Sequence, residues 1–302
     1  MRSHSQLPKK QMSKRALLLV NPHARRGKNA LLQAMQGLRQ LNFEIITGES
    51  DNPADFAKII RQYHQQVDLV IIGGGDGTVN AAVEGLLDTE LPLGILPLGT
   101  ANNLARTLKI PPSIPQACQI IAGGKVQSID LGWVNGKYFF NIASLGLSAE
   151  VNRRVSKRLK RHWGVFAYMV TALQTLLTIR PFWVDILCDD ESIEVKTIQI
   201  TVANGRYYGS GLVIADDATI DDQTLDLHSL EIQYWWEILP LIPAALRGKS
   251  SIGKGVRTIK GKDIRLHTRK PYAINTDGER TTETPARFRV IPNALEVFVA
   301  HK

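Results

Sequence analysis

The segment Val67-Asp68-Leu69-Val70-Ile71-Ile72-Gly73-Gly74-Gly75-Asp76-Gly77-Thr78-Val79-Asn80 constrains this chain more than any other. Val67 to Ile72 is a near-continuous apolar run, the pattern of a strand buried on both faces of a sheet. Glycines follow at 73, 74, 75 and 77, with one acid and one hydroxyl among them, and the residues from Val79 to Leu87 read as a helix. A strand that turns through glycines into a helix start makes an anion site, because glycine lets the backbone approach a ligand and the free N–H groups point at it. Asp76 would repel a bare phosphate, so its place in the loop points to a metal or a proton transfer beside phosphates. The loop does not fit the GxGxxG spacing, because Thr78 stands where the last glycine would be, and no Gly-Lys-Ser/Thr closes it as a Walker A loop. Taken alone, a glycine-rich turn with a capping Asp or Thr accounts for it equally well.

Around this segment, strand and helix signals alternate. Ala16–Val20, Phe43–Thr47, the 67–72 run and Leu93–Leu96 read as strands. Helices are predicted over Asn29–Leu41, from Pro53 to about Gln66, over 79–88, from Asn102 to Leu108, and from Pro115 to the Gly123-Gly124 stop. This rhythm predicts a parallel sheet covered on both faces, with ligands at the carboxyl ends of its strands. After Lys125 strand-like runs dominate, separated by turns such as Asn135-Gly136 and Asp277-Gly278, with helices expected near 149–178 and 235–247. The expected class is α/β: a doubly wound parallel-sheet nucleotide-binding domain over residues 14–132, followed by a mostly antiparallel β-sandwich domain over 133–302.

Two cysteines, Cys118 and Cys188, lie far apart without a CxxC, and no HExxH occurs, so neither a disulfide framework nor a zinc site is indicated. The apolar run Ala16–Val20 is too short for a signal-peptide core, and no stretch reaches the ~20 apolar residues of a membrane span. The expected location is the cytoplasm. A formal charge of +9 calls for an acidic partner, for which nucleic acid, anionic lipid and nucleotide phosphate all qualify.

Two further loops belong to the same sheet edge as Asp76. Asn21-Pro22-His23-Ala24-Arg25-Arg26-Gly27-Lys28 follows the first strand, and Leu96-Pro97-Leu98-Gly99-Thr100-Ala101-Asn102-Asn103 follows the fourth. Arg25, Arg26 and Lys28 could neutralise phosphate charge, and Thr100 and Asn102 could hydrogen-bond a ligand. Singly, each has a plainer account: Asn-Pro is a turn, paired arginines are usually solvated, and Asn102 is a good N-cap. The fourth segment, Asn275-Thr276-Asp277-Gly278-Glu279, reads on spacing as a hairpin turn; facing a cleft, its carboxylate could take a proton from a hydroxyl.

Together these segments resemble the diacylglycerol kinase catalytic family, in its soluble bacterial YegS-like lipid kinases, which share the fold of sphingosine kinases. The matching residues are the Asn-Pro loop, Gly-Gly-Asp-Gly-Thr at 74–78, Leu-Pro-Leu-Gly-Thr-Ala-Asn at 96–102, Val202-Ala203-Asn204-Gly205, Gly209 and Gly211, Ala218-Thr219-Ile220-Asp221-Asp222, and Asp-Gly-Glu at 277–279. The resemblance implies an ATP-dependent lipid kinase whose active site lies between two domains. By position, Asn21, Lys28, Thr47, Gly74, Gly75, Asp76, Gly77, Thr78, Val79, Asn80, Thr100 and Asn102 would contact ATP, with Asp76 beside the phosphates and magnesium. Glu279 would accept the lipid hydroxyl proton, assisted by Asp277. A further Mg2+ site in the second domain would use the Asp222 carboxylate and backbone oxygens of Thr219 and Thr224. Two residues depart from the family pattern: Asn103 stands where an Asp is usual, which bears on substrate preference, and Gln223 replaces the glycine of Asp-Asp-Gly, which bears on the metal site.

A lipid acceptor has to be reached from a bilayer. From Arg153 to Arg161 six of nine residues are basic, and an anionic surface would attract them, so peripheral membrane association through 153–161 is expected. The stretch Trp163–Ile179 places Phe166, Met169, Val170, Leu173 and Leu177 on one helical face, for which core packing is the favoured reading; the Trp235-Trp236 pair is a second candidate contact. Two other functions remain open at this point. One is an NAD kinase-like enzyme, which shares the Gly-Gly-Asp-Gly-Thr loop but not the second-domain pattern. The other is a basic membrane- or nucleic-acid-binding module without catalysis, against which stand both carboxylates and the lack of a nucleic-acid motif. A homodimer is compatible with the chain, and nothing in its residues encodes one.

Overall fold

The computed structural model describes residues 13–24, 27–48, 50–154, 170–171, 173–205, 207–208, 212–213, 219–238 and 255–301. Four parallel strands open it: β1 (Lys14–Val20), β2 (Phe43–Thr47), β3 (Leu69–Gly74) and β4 (Leu93–Pro97), in the order β2-β1-β3-β4. Every residue of β3 and β4 is buried, as expected for strands covered on both faces. Helices α1 (Gly27–Gln40), α2 (Phe56–Tyr63), α3 (Asp76–Asn80), α4 (Val83–Thr89), α5 (Asn103–Thr107) and α6 (Ile114–Gly123) supply the cover.

Two local differences from the periodicity matter for the site. β3 runs two residues further than its apolar run, because Gly73 and Gly74 stay in the ladder opposite Leu96 and Pro97. The helix expected over 79–88 starts inside the glycine loop at Asp76 and is broken around residues 81–82 into α3 and α4.

The remaining strands are β5 (Val126–Val134), β6 (Lys137–Phe139), β7 (Ile142–Gly146), β8 (Phe182–Cys188), β9 (Glu191–Thr197), β10 (Gln199–Ala203), β11 (Tyr207–Tyr208), β12 (Leu212–Val213), β13 (Leu225–Leu230), β14 (Val256–Gly261), β15 (Asp263–Thr268), β16 (Ala273–Thr276), β17 (Glu279–Glu283) and β18 (Ala286–Phe298). A separate antiparallel sheet has the order β14-β13-β10-β7-β16-β17. Apart from the β11–β12 pair, the other strands do not stand apart from the first domain: the parallel sheet continues through β18 into β15, β8 and β9, with β5 and β6 beside β18. β18 is parallel to β4 at Val297–Leu93 and antiparallel to β5 and β15.

One strand can serve both halves because it bends. A register irregularity between Ile291 and Leu295 spans Pro292, which has no N–H for the ladder, and Asn293, which sits at φ +49°. On one side of the bend Phe288 joins the core between the two sheets, with Val184, Ile186 and Leu266 from one and Leu145, Val202 and Leu227 from the other. On the other side Leu295, Val297 and Phe298 join the core of the parallel half. β8 and β15 alternate buried and exposed residues, as strands with one packed face must.

Helix α7 (Leu147–Arg154) begins the expected 149–178 helix, residues 155–169 fall outside the described part, and helix reappears at 170–171 and 173–178. Core packing of its apolar stripe is corrected here: Val170, Leu173 and Leu177 are 41%, 55% and 54% exposed. The buried face carries Thr171, Thr175 and Leu176 instead. Thr175 can be buried because its hydroxyl donates to the Thr171 carbonyl of its own helix, 2.7 Å away, which satisfies the polar group internally. Of the second expected helix, only the short turn Trp235–Ile238 is described. Among the described residues, no helix is long and apolar enough to cross a membrane.

Candidate active site

The carboxyl ends of β1, β3 and β4 bring three loops together, as the alternation predicted. Gly75 and Gly99 touch backbone to backbone: a Cβ on Gly99 would lie 2.5 Å from the Gly75 Cα, so no side chain is tolerated there. Asn102 tightens the second loop, accepting from the Gly99 N–H at 2.9 Å and donating to the Gly99 carbonyl at 3.1 Å. It stands before α5 at φ +50° and makes no side-chain capping bond, which corrects its reading as an N-cap. The cap comes from elsewhere in the chain. Asp76 Oδ2 and Oδ1 accept from the backbone N–H groups of Asn103 and Leu104, at 3.0 Å each. The acid of the glycine loop thus holds the first turn of α5 and locks two loops into one body.

The other residues of these loops divide by what their side chains touch. Asn21 donates to the Thr78 hydroxyl at 3.1 Å, joining the first loop to the second. Thr78 and Val79 are buried, so their side chains pack inward, and Asn80 donates to the Tyr138 carbonyl at 3.0 Å. Thr47 and Thr100 are exposed at the same sheet edge. Arg25 and Arg26 lie outside the described residues, as does the side chain of Lys28, whose backbone is in the first turn of α1. Gly209, Gly211, Ala218 and the basic run beyond Arg154 also lie outside them.

From the opposite side comes the turn between β16 and β17. Asp277 and Gly278 have φ of +47° and +95°, both positive, as a two-residue type I′ hairpin requires. Asp277 turns its carboxylate inward, where it accepts from the backbone N–H groups of Phe140, Asn141 and Ile142 at 2.8, 3.0 and 3.2 Å. Burial pushes this carboxyl up to about 6; the three N–H donors pull it down, and the negative charge of Asp76 adds to the rise. Glu279, exposed, reaches across to the glycine loop: its Oε1 lies 3.2 Å from where a Cβ on Gly77 would stand. Asp76, Asp277 and Glu279 are therefore brought near one another, although they are far apart in the chain.

The acidic loop at 219–224 has contacts of its own. Asp222 Oδ1 accepts from the Thr224 N–H and hydroxyl at 3.1 and 3.0 Å, while Oδ2 takes no hydrogen bond among the described residues. Thr219 is exposed and Thr224 partly so. Among the described residues no group of three His, Cys, Asp or Glu is placed to hold a metal ion by itself. Gln223 occupies a left-handed position at φ +59°, which is where a glycine costs least.

Two positioning residues were given no role by the sequence reading. Asp130, almost fully buried, accepts from Gln223 N–H at 2.6 Å and Asn293 N–H at 2.8 Å, tying the acidic loop to the bend in β18. Asn204 donates to the carbonyls of Asp130 and Phe140. A lone acid inside the apolar run Ile129-Asp130-Leu131 was the available signal for the first, since a buried carboxylate needs partners. The backbone donors at 140–142 left no signal, because every residue carries an N–H.

Comparison with known proteins shows the family. Residues 15–134 match the diacylglycerol kinase catalytic domain, and residues 141–299 match the YegS C-terminal NAD kinase beta sandwich-like domain. The chain is 31% identical to the diacylglycerol kinase of Bacillus subtilis strain 168, over 91% of this chain and 93% of that one. It is 30% identical to a provisionally named lipid kinase of Staphylococcus aureus strain JH9, over 83% and 85% of the two chains. A crystal structure from Bacillus anthracis strain Sterne, provisionally named a diacylglycerol kinase, superposes with a TM-score of 0.82 at 26% identity, covering 98% of this chain and 99% of its own. The chain belongs to the diacylglycerol kinase family in its YegS-type two-domain form, and is a phosphotransferase of that lipid kinase family.

Proposed function

We propose that this protein transfers the γ-phosphoryl group of ATP to the hydroxyl of a glycerolipid such as diacylglycerol, with the crevice between Gly77 and Glu279 as the reaction site. The observation that carries the reading is the approach of an exposed carboxylate to a glycine loop at a helix start. Phosphoryl transfer depends on positioning and on offsetting charge more than on covalent chemistry. The N–H groups of Gly75, Asp76 and Gly77 serve the phosphates, with Thr47, Thr100 and Lys28 around the nucleotide. Glu279 is the one acid at the crevice with an exposed side chain, so it takes the acceptor proton as the hydroxyl attacks phosphorus. Asp277, held by three backbone donors, fixes the turn that aims Glu279. Asp76 keeps the nucleotide loops together and lends negative charge beside the phosphates.

Magnesium would be held at the phosphates near Asp76, and a second ion by Asp222 Oδ2 with the Thr219 and Thr224 carbonyls. The donors are all hard oxygens, which Mg2+ takes, often with only one or two from carboxylates. Bound at the phosphates, the first ion would neutralise their charge. The NAD kinase-like alternative is less favoured, because the relatives over both domains are named as lipid kinases.

The test is a labelled-ATP assay against hydroxyl lipids, with mass spectrometry of the product. Lipid-dependent γ-phosphate transfer that requires Mg2+ and falls roughly 10²–10⁴-fold in Glu279→Gln, with ATP binding kept, is the expected result. Phosphorylation of NAD in place of any lipid, or full turnover in Glu279→Gln, would overturn it.

A further inference from the structure

The two family matches leave residues 135–140 between them, and the structure does not use that stretch as a slack linker. β6 occupies it, and its side chains alternate between two cores as strand residues must. Phe139, fully buried, packs into the core between the two sheets, while Tyr138 and Phe140 pack with the core of the parallel half. Gly132, the cross-strand partner of Phe139 in β5, has no room for a side chain because the Phe139 ring lies over it. A segment held in both cores has little freedom to slide, so whatever bonds to its backbone is fixed relative to both halves.

This backbone is bonded from two sides. On one, the Asn80 amide at the end of α3 donates to the Tyr138 carbonyl at 3.0 Å. On the other, the N–H groups of Phe140, Asn141 and Ile142 hold the Asp277 carboxylate, and the Asp277 N–H donates to the Ile142 carbonyl at 2.9 Å. The set closes on itself. Asn80 and Gly77 stand three residues apart in α3 and so share a helix face, and Gly77 is the residue that Glu279 approaches. The circuit runs from Gly77 along α3 to Asn80, across to Tyr138, along the chain to Phe140, across to Asp277 and along the turn to Glu279, which stands beside Gly77 again. Asn80 supplies its only side chain from the nucleotide half.

We infer that Asn80 is a positioning residue: it ties the phosphate loop to the backbone that holds Asp277, and so sets where the Glu279 carboxylate stands beside that loop. The inference rests on Glu279 as the base of the phosphoryl transfer proposed above. It differs from the nucleotide contact that the resemblance implies for Asn80. The Asn80 Nδ2 is given to the protein, so loss of the amide should leave ATP affinity alone and misplace the base. α3 has five residues and is broken from α4 just beyond Asn80, so it has little rigidity of its own to hold that end without the tie. A misplacement of about 1 Å at a reacting group can cost on the order of 10²-fold in rate.

The test uses Asn80→Leu, which is uncharged and close to Asn in size, with Asn80→Ala as a second variant that adds no bulk. Turnover of labelled ATP is measured with dihexanoylglycerol and with dihexanoyl phosphatidylglycerol as acceptors. Nucleotide affinity is read by isothermal titration with AMP-PNP and Mg2+, and amide hydrogen exchange is followed at residues 140–142. Both variants should lose roughly tenfold or more in kcat, keep AMP-PNP affinity within about twofold, and exchange faster at 140–142. A roughly tenfold loss of AMP-PNP affinity with kcat kept would overturn the inference and return Asn80 to the nucleotide. Wild-type kcat in both variants would overturn it as well. Transfer to neither acceptor by the wild type would sink the kinase reading instead. Faster exchange at 140–142 in the variants would then still support the tie, and unchanged exchange would overturn it.

Discussion

Replacing Asp76 with Asn tests the central feature of the site, because the structure gives this carboxylate a second task. Its two oxygens each accept a backbone N–H, from Asn103 and Leu104, at 3.0 Å. Asn keeps one acceptor but sets an NH2 against the other N–H. Hydrogen bonds to charged groups contribute about 1.5–3 kcal/mol each, and the half-buried position argues for the lower part of that range. Asp76→Asn should then cost about 1.5–2 kcal/mol, and Asp76→Ala, which strips both bonds, about 3–4 kcal/mol. At about 2–4 °C per kcal/mol for a large domain, the melting temperature should fall by roughly 3–8 °C in the first variant and about twice that in the second. Differential scanning fluorimetry reads the shift, and amide hydrogen exchange at residues 103 and 104 locates it. Unchanged melting with unchanged protection at those amides would refute the argument, since it would mean that the carboxylate is not tied to α5. The result also governs how activity data are read: loss of turnover in Asp76→Asn assigns the acid to the phosphates only if the two loops are still locked together.

Other outcomes follow from single contacts. Gly77 is exposed and helical, so Gly77→Ala should leave stability the same or raise it by about 0.5–1 kcal/mol, yet lower kcat, because the new Cβ stands 3.2 Å from Glu279 Oε1; unaltered kcat would place Glu279 elsewhere in solution. Gln223→Gly relieves a left-handed side chain at φ +59° and should stabilise the protein by about 0.5–1 kcal/mol in urea unfolding, net of the chain entropy that glycine adds; a loss of stability would show that Gln223 makes contacts worth more than that strain. Asp277 has a carboxyl raised from 3.8 to about 6, so the folded state binds its proton more tightly. Its contribution to stability is complete below about pH 4 and is lost as pH rises through 6. The fall in urea midpoint between those values should be absent in Asp277→Asn, and an identical slope in both proteins would count against the buried carboxyl.

Much of the nucleotide half was legible in the residues themselves. The parallel strands and their edge loops followed from apolar runs alternating with helical periods, and the Asp277-Gly278 pair announced a hairpin turn because few residues accept two successive positive φ values. The errors arose where packing overrode local pattern. The 170–177 stripe was read as core, but the threonines beside it bury more readily once their hydroxyls bond their own helix. Asn102 has the chemistry of a cap, yet a carboxylate from another loop reaches α5 and Asn102 turns to Gly99.

By itself, the sequence determined the local vocabulary: a buried strand ending in glycines, two companion loops at one sheet edge, and a tight turn carrying two acids. Those depend on neighbours a few positions apart, and side-chain period and turn preference encode them directly. The tertiary structure decided who meets whom. It tied Asp76 to α5, set Glu279 against Gly77, bent β18 into both cores, and joined Asn80 to Tyr138. These are meetings of residues distant in the chain, and they come from how whole layers pack to bury apolar surface, which no short stretch of residues can specify.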